Sequence, residues 1–275
     1  MFWTRLISGI VLVLALIVLF VVGNPWLLCA IGLLSLLGIY ELMRVFGIEK
    51  KPSGIVNYIT VVIYYVLLFF NVQSWVLFLF TGHILVQLAI YVFRYPKLKI
   101  DEITKAVFSF FYVAVMLSYI PLTRALDGGA WLVWLIIMGS WGADTCAYCA
   151  GKLFGKHHFS ELSPKKTIEG CVGGVLGASI IAFIYSLFFP AEYSVFLIDH
   201  RIAFPVIAAV CAVVSMVGDL SASAIKRNYD IKDYGNIIPG HGGVLDRFDS
   251  VIFVAPFVYY LLVFIQLSPY LLGYV

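Results

Sequence analysis

Long apolar runs alternate with short polar breaks along the whole chain. Each run is about 18 to 22 residues, the length at which a helix crosses a hydrocarbon core of roughly 30 Å. The pattern predicts nine helices, over Leu6–Val22, Trp26–Phe46, Ile55–Val72, Trp75–Phe93, Val107–Leu126, Ala130–Phe154, Cys171–Phe189, Ile202–Ile225 and Val251–Leu267. The first run has no A-x-A cleavage pattern and a second run follows at once, so a retained helix is expected rather than a secretory signal. The fold class is all-α: a polytopic membrane protein of about nine transmembrane helices. One membrane domain is expected over 1–275, with 1–104 as scaffold and lipid or dimer surface and 105–275 as catalytic helices and loops.

Composition agrees and adds a direction. The chain is 63% hydrophobic and 12% charged, with a mean hydropathy of +1.02, which excludes the soluble globular class. With the N-terminus in the cytoplasm and nine spans, 16 of the 18 Lys and Arg fall on the cytoplasmic side, leaving only Arg124 and Arg201 opposite. Positive charge accumulates on the inside, so the N-terminus is placed in the cytoplasm and the C-terminus outside. The five cysteines lie in or beside apolar runs. Cys146-x-x-Cys149 lacks a second pair to complete a zinc site, and the cysteines read as small packing residues.

The polar breaks are unequal. In the first hundred residues they are short and basic. Glu41 and Arg44 close the second run at i, i+3 and are expected to pair at the interface. His83, alone in an apolar run, reads as hydrogen-bonded packing, and the basic Arg94–Lys105 segment as a loop at the membrane surface. The C-terminal half differs. Asp144, Asp219, Asp246 and Asp249 sit at or inside the cytoplasmic ends of three runs, where a carboxylate costs a few kcal/mol and defaults to a paired or functional group. Between Ser221 and Asp249 the chain gathers four acids, four bases and a histidine.

These residue types suit phosphate chemistry. Ser215, Asp219 and Ser223 share one helical face, with Lys226 and Arg227 beyond them. An acid flanked by hydroxyls can help hold Mg²⁺, which takes oxygen ligands from one or two carboxylates plus phosphates and water. Asp246 and Asp249, at i, i+3, share a face. Gly242-Gly243 can aim backbone N–H groups at an anion near a helix start, and Arg247 offers a planar fork for phosphate. In the Ser163–Gly170 segment, Lys165 and Lys166 are point charges suited to a triphosphate tail. Asp144 lies about three turns inside the end of its helix, as metal ligand, base or ribose contact. Together these parts permit phosphoryl or nucleotidyl transfer at the cytoplasmic face.

The pattern Ser223-x-Ile225-Lys226-Arg227, then Lys232-Asp233-x-Gly235, Ile238-Pro239-x-His241-Gly242-Gly243 and Asp246-Arg247-x-Asp249 resembles the signature of the bacterial phosphatidate cytidylyltransferases, the CDP-diacylglycerol synthases. Ser163-Pro164-Lys165-Lys166-Thr167-x-Glu169-Gly170 resembles that family's second motif. The resemblance implies transfer of CMP from CTP to phosphatidate, with pyrophosphate released, in a multi-pass inner-membrane protein whose site faces the cytoplasm. It implies Mg²⁺ held by Asp219 and Asp246, a monovalent cation such as K⁺ beside it, and a homodimer, with no nucleic-acid partner. Asp144, Asp249 and Lys226 join the catalytic set. Ser163, Lys165, Lys166, Thr167, Glu169, Ser221, Ser223, Arg227, Lys232, Asp233, His241, Gly242, Gly243 and Arg247 are expected to bind substrate.

Two other readings fit part of the pattern. A CTP-dependent polyprenol kinase would move the γ-phosphoryl group instead of CMP. An ion-coupled transporter would place acids near the midplane in both halves, whereas here they gather toward one face and in one half.

Overall fold

A computed structural model of the chain describes residues 2–158, 162–163, 166–190, 199–240 and 242–271, with side chains from 7 to 266 inside those ranges. Among the described residues the secondary structure is helical, with two isolated β-bridges and no strand. In chain order the long helices are α1 (Phe2–Val22), α2 (Trp26–Phe46), α3 (Pro52–Phe69) and α4 (Gln73–Phe93), then α5 (Ile100–Arg124), α6 (Gly129–Phe154), α7 (Ile168–Ser186), α8 (His200–Asn228) and α9 (Leu245–Leu271). Among the described residues eight of them, α2 to α9, are long and apolar enough to cross a membrane, and α1 is apolar as well. Side chains unfit for water lie on their outer faces, with Leu77 76% and Phe93 86% exposed. That places hydrocarbon around the helices.

The helix limits have local causes. α2 stops at Gly47, whose φ of 68° opens a left-handed turn; Gly47 N–H bonds to Arg44 O and Ile48 N–H to Met43 O, the Schellman arrangement. α3 starts on Pro52, whose fixed φ suits a first helical position. α7 starts where Thr167 Oγ1 accepts the N–H of Gly170 at 3.1 Å, a side-chain cap. α5 begins at Ile100, so the basic segment expected to be a loop as far as Lys105 is helical from Ile100 onward. α8 and α9 also outrun their apolar cores. Twenty-nine residues of α8 rise about 43 Å, more than a hydrocarbon core, which carries Lys226 and Arg227 out toward the polar side. α5 and α6 each contain a π-helical stretch, Phe110–Val115 and Met138–Gly142. The second ends two residues before Asp144 and sets the face on which that acid lies.

Contacts separate the chain into two compact units. The first is Met1–Pro121 with Lys232–Arg247, so the glycine-rich loop belongs with the N-terminal helices. Buried polar side chains tie its helices together. Asn57 Nδ2 donates to Ala106 O at 2.7 Å, Gln87 Nε2 to Ser53 O at 2.9 Å, and Tyr65 Oη to Ala114 O at 3.0 Å. Such bonds hold helices where lipid removes the hydrophobic drive between them. His83 is packing, as expected: its Nδ1 lies 3.0 Å from Thr60 Oγ1 and its ring 4.8 Å from that of Phe110.

The second unit is Leu122–Ile231 with Phe248–Val275. Here small residues bring backbones close. Added Cβ atoms on Gly173 and Gly177 of α7 would collide with Ala150 and Cys146 of α6. All five cysteines are free thiols, and among the described residues no group of three or more His, Cys, Asp or Glu is arranged to hold a metal ion.

Candidate active site

In the second unit, α8 and α9 touch where the acids are. A Cβ on Gly218 would lie 2.9 Å from the Asp249 carbonyl oxygen and 3.0 Å from the Phe253 ring. Glycine there lets the next residue, Asp219, come beside Asp249. Lys166 Nζ meets Asp219 Oδ2 at 2.5 Å, each side chain 26% exposed. Asp249 is 8% exposed and lies within electrostatic reach of Asp219, Lys226 and Asp144. Ser250 Oγ donates to Asp144 Oδ2 at 3.0 Å, and Ser250 N–H to Asp249 Oδ1 at 2.8 Å. Three carboxylates on three helices therefore meet two ammonium groups. Cations among like charges so grouped offset their repulsion. One turn before Asp219, Ser215 Oγ is buried without a hydrogen-bond partner.

The second motif orders the approach to Lys166. Lys166 N–H bonds to Ser163 O at 3.0 Å, closing a turn, and His158 bridges Thr167. Glu169 ties the far side: its carboxylate accepts from the N–H groups of Lys156 and His157 and lies 2.6 Å from His157 Nδ1. Thr167 and Glu169, expected to bind substrate, thus cap and brace the segment, and Lys166 alone of the motif's described residues reaches the acids. Lys165, with Pro164, lies outside the described residues, as does His241. Ser221 Oγ donates to Val217 O at 2.8 Å. Ser223 sits half-buried one turn beyond Asp219, and Arg227 is exposed at the end of α8.

In the first unit the signature loop folds onto α2. Lys232 and Asp233 are exposed at its start, and Tyr234 beside them is 1% exposed. Ile238 and Gly242 pair across a tight turn in which Gly240 and Gly242 take φ of 78° and 88°, values that L side chains avoid. Asp246 Oδ2 accepts the N–H groups of Tyr234 at 2.8 Å and Gly243 at 3.0 Å. Glu41, fully buried, accepts Val244 N–H on Oε1 and Leu245 N–H on Oε2, both at 3.0 Å. Arg44 donates to Tyr234 O at 2.8 Å. This corrects one expectation. Glu41 and Arg44 form no interface pair; i, i+3 spacing permits one, but each side chain finds unpaired backbone in the loop instead. The Gly243 amide, expected to aim at an anion near a helix start, faces the Asp246 carboxylate, since a helix N-terminus favours any anion within reach. Arg247, the last residue of this unit, is exposed. The spacing of Glu41 signalled nothing of this, since its partners lie more than 200 residues away.

The sequence model of the cytidylyltransferase family matches residues 3–265. Among curated proteins, the chain is 40% identical over 166 residues to a phosphatidate cytidylyltransferase of Bacillus subtilis, covering 59% of each chain. It is 42% identical over 150 residues to one of Thermotoga maritima, covering 54% of each, and 37% identical over 158 residues to one of Rickettsia felis, covering 54% of this chain and 70% of that one. The chain thus spans a little over half the length of the first two relatives.

Proposed function

Because the chain belongs to the cytidylyltransferase family, we propose that it transfers CMP from CTP to phosphatidate, yielding CDP-diacylglycerol and pyrophosphate. The observation that carries this reading is the meeting of Asp144, Asp219 and Asp249 with Lys166 and Lys226 at the polar ends of membrane helices. The relatives' names supply the substrates, the charge-split loops support a cytoplasmic face, and the bacterial relatives are consistent with an inner membrane.

The donor set fits Mg²⁺: hard oxygens, two carboxylates side by side, and a nearby hydroxyl, Ser215 Oγ, with no protein partner. Asp219 keeps the ligand role expected for it, and Asp249 joins it. The metal role expected for Asp246 rests on its motif, and within the first unit two amides already orient its carboxylate, as the protein-side bonds of metal ligands do. When bound, Mg²⁺ offsets charge on the triphosphate and the leaving pyrophosphate. The chain's own groups do the rest. Lys166 shifts from Asp219 to the phosphates as nucleotide enters, and Lys226 screens Asp249. The ends of α8 and α9 hold the phosphatidate oxygen in line with the α-phosphorus. No general base is needed, since that oxygen is already an anion.

The deciding experiment uses CTP labelled at the α- or the γ-phosphorus, with phosphatidate in detergent. The proposal expects label in the organic phase from α-labelled CTP alone. Label from γ-labelled CTP would mean a kinase instead. Light scattering of the purified protein in detergent tests the proposed homodimer.

A further inference from the structure

We infer that Glu41, in the middle of the N-terminal helices, is a positioning residue for the signature loop and for the start of α9. The role rests on the proposed transfer only for its catalytic consequence; its structural part stands on contacts within the first unit.

Glu41 is fully buried in a helix otherwise made for lipid. A carboxylate at such a place is retained only where its lone pairs are answered. Both oxygens are answered, one by Val244 N–H and one by Leu245 N–H. These are among the N-terminal donors of α9 that no intrahelical carbonyl reaches. The carboxylate therefore clamps the helix start with two charge-assisted bonds. Arg44, one turn on, holds the Tyr234 carbonyl, and the Tyr234 N–H runs to Asp246. Glu41 and Arg44 thus hold opposite ends of the loop whose two limbs meet on the Asp246 carboxylate.

The same carboxylate explains two signature glycines. A Cβ on Gly243 would lie 2.6 Å from the Glu41 carboxyl carbon, and one on Gly235 2.9 Å from it. No real Cβ tolerates either distance. Glycine is required at these positions because Glu41 fills the space a side chain would take. Glu41 and the two glycines form one unit, and substitutions among them do not add.

The test combines Glu41→Ala, Glu41→Gln and Gly243→Ala in a double-mutant cycle, read by amide hydrogen exchange and by steady-state kinetics with CTP and phosphatidate. In Glu41→Ala, exchange at the Tyr234, Gly243, Val244 and Leu245 amides rises while other helices keep their protection. The value of kcat falls about 10- to 100-fold, the usual cost of losing a bond that orients a site group, with KM for CTP nearly unchanged. Glu41→Gln, which keeps one acceptor oxygen, recovers part of both. Gly243→Ala is severe alone but adds less than about twofold in the Glu41→Ala background. Should Glu41→Ala fail to fold, Glu41→Ser, which also vacates the space, gives the same cycle with Gly235→Ala. Unchanged exchange at these amides, an equal cost of Gly243→Ala in both backgrounds, or an unchanged kcat would each overturn the inference. Exchange and coupling need no turnover, so they stand or fall separately from the assignment of CTP and phosphatidate.

Discussion

Lys166 Nζ lies 2.5 Å from Asp219 Oδ2, joining the second motif to the end of α8. The ammonium stands where a cation is expected, so the two compete for Asp219. Lys166→Met should tighten binding of Mn²⁺ in the absence of nucleotide, measured by electron paramagnetic resonance. It should also raise KM for CTP by about tenfold, roughly one charge-assisted contact. Weaker Mn²⁺ binding in the variant would contradict the competition.

Gly218 admits the Asp249 carbonyl to the α8 backbone, with an added Cβ 2.9 Å away. Gly218→Ala forces α8 and α9 apart and separates Asp219 from Asp249. Overpacking of this kind costs about 1–3 kcal/mol. The expected outcome is a lower thermal midpoint together with a fall in kcat larger than an equally destabilising change in α1 produces. Equal falls in the two variants would show that the Asp219–Asp249 approach does not matter.

Thr167 caps α7 through Gly170 N–H. Thr167→Ala should cost about 1 kcal/mol of stability, with Thr167→Ser restoring it, and KM for CTP should stay close to that of the parent. A large KM increase in Thr167→Ala that Thr167→Ser reverses would return the Thr167 hydroxyl to the substrate contacts expected from its motif.

Asp246 separates orientation from charge. Its Oδ2 accepts two amides, and an asparagine oxygen can accept the same pair. Asp246→Asn should leave hydrogen exchange of the Tyr234 and Gly243 amides unchanged while activity falls and its Mg²⁺ requirement shifts upward. Parent activity with unchanged exchange would limit Asp246 to holding the loop.

Much of this molecule is written locally. Each apolar run became a helix, because a lipid-facing segment satisfies its backbone only by bonding to itself. Asp144, Asp219, Asp246 and Asp249 were expected as one group, since buried acids on separate runs need a common cause; Asp144, Asp219 and Asp249 lie together in the second unit, while Asp246 is bonded to amides within the first. α9 begins at Leu245, ahead of its apolar run near Val251; Gly242-Gly243 and the Asp246, Asp249 spacing already marked a helix start there. Less local features were not legible. The partners of Glu41 could not be read from neighbours at i, i+3, since a pair with Arg44 loses to three backbone groups brought in from the loop. The second motif looked like substrate contacts throughout, yet Thr167 and Glu169 face their own chain. A sequence pattern of polar residues does not separate a group that touches phosphate from one that braces its neighbour.

The central claim is that the acids at the meeting of α8 and α9 carry out nucleotidyl transfer. The most direct test is the rate at which Asp249→Asn protein, folded with its parent's thermal midpoint, moves label from α-labelled CTP into phosphatidate. Loss of one preorganised charge at a transfer site costs about 100-fold or more, and that loss is the expected result. A rate within about threefold of the parent, far below that cost, would contradict the account.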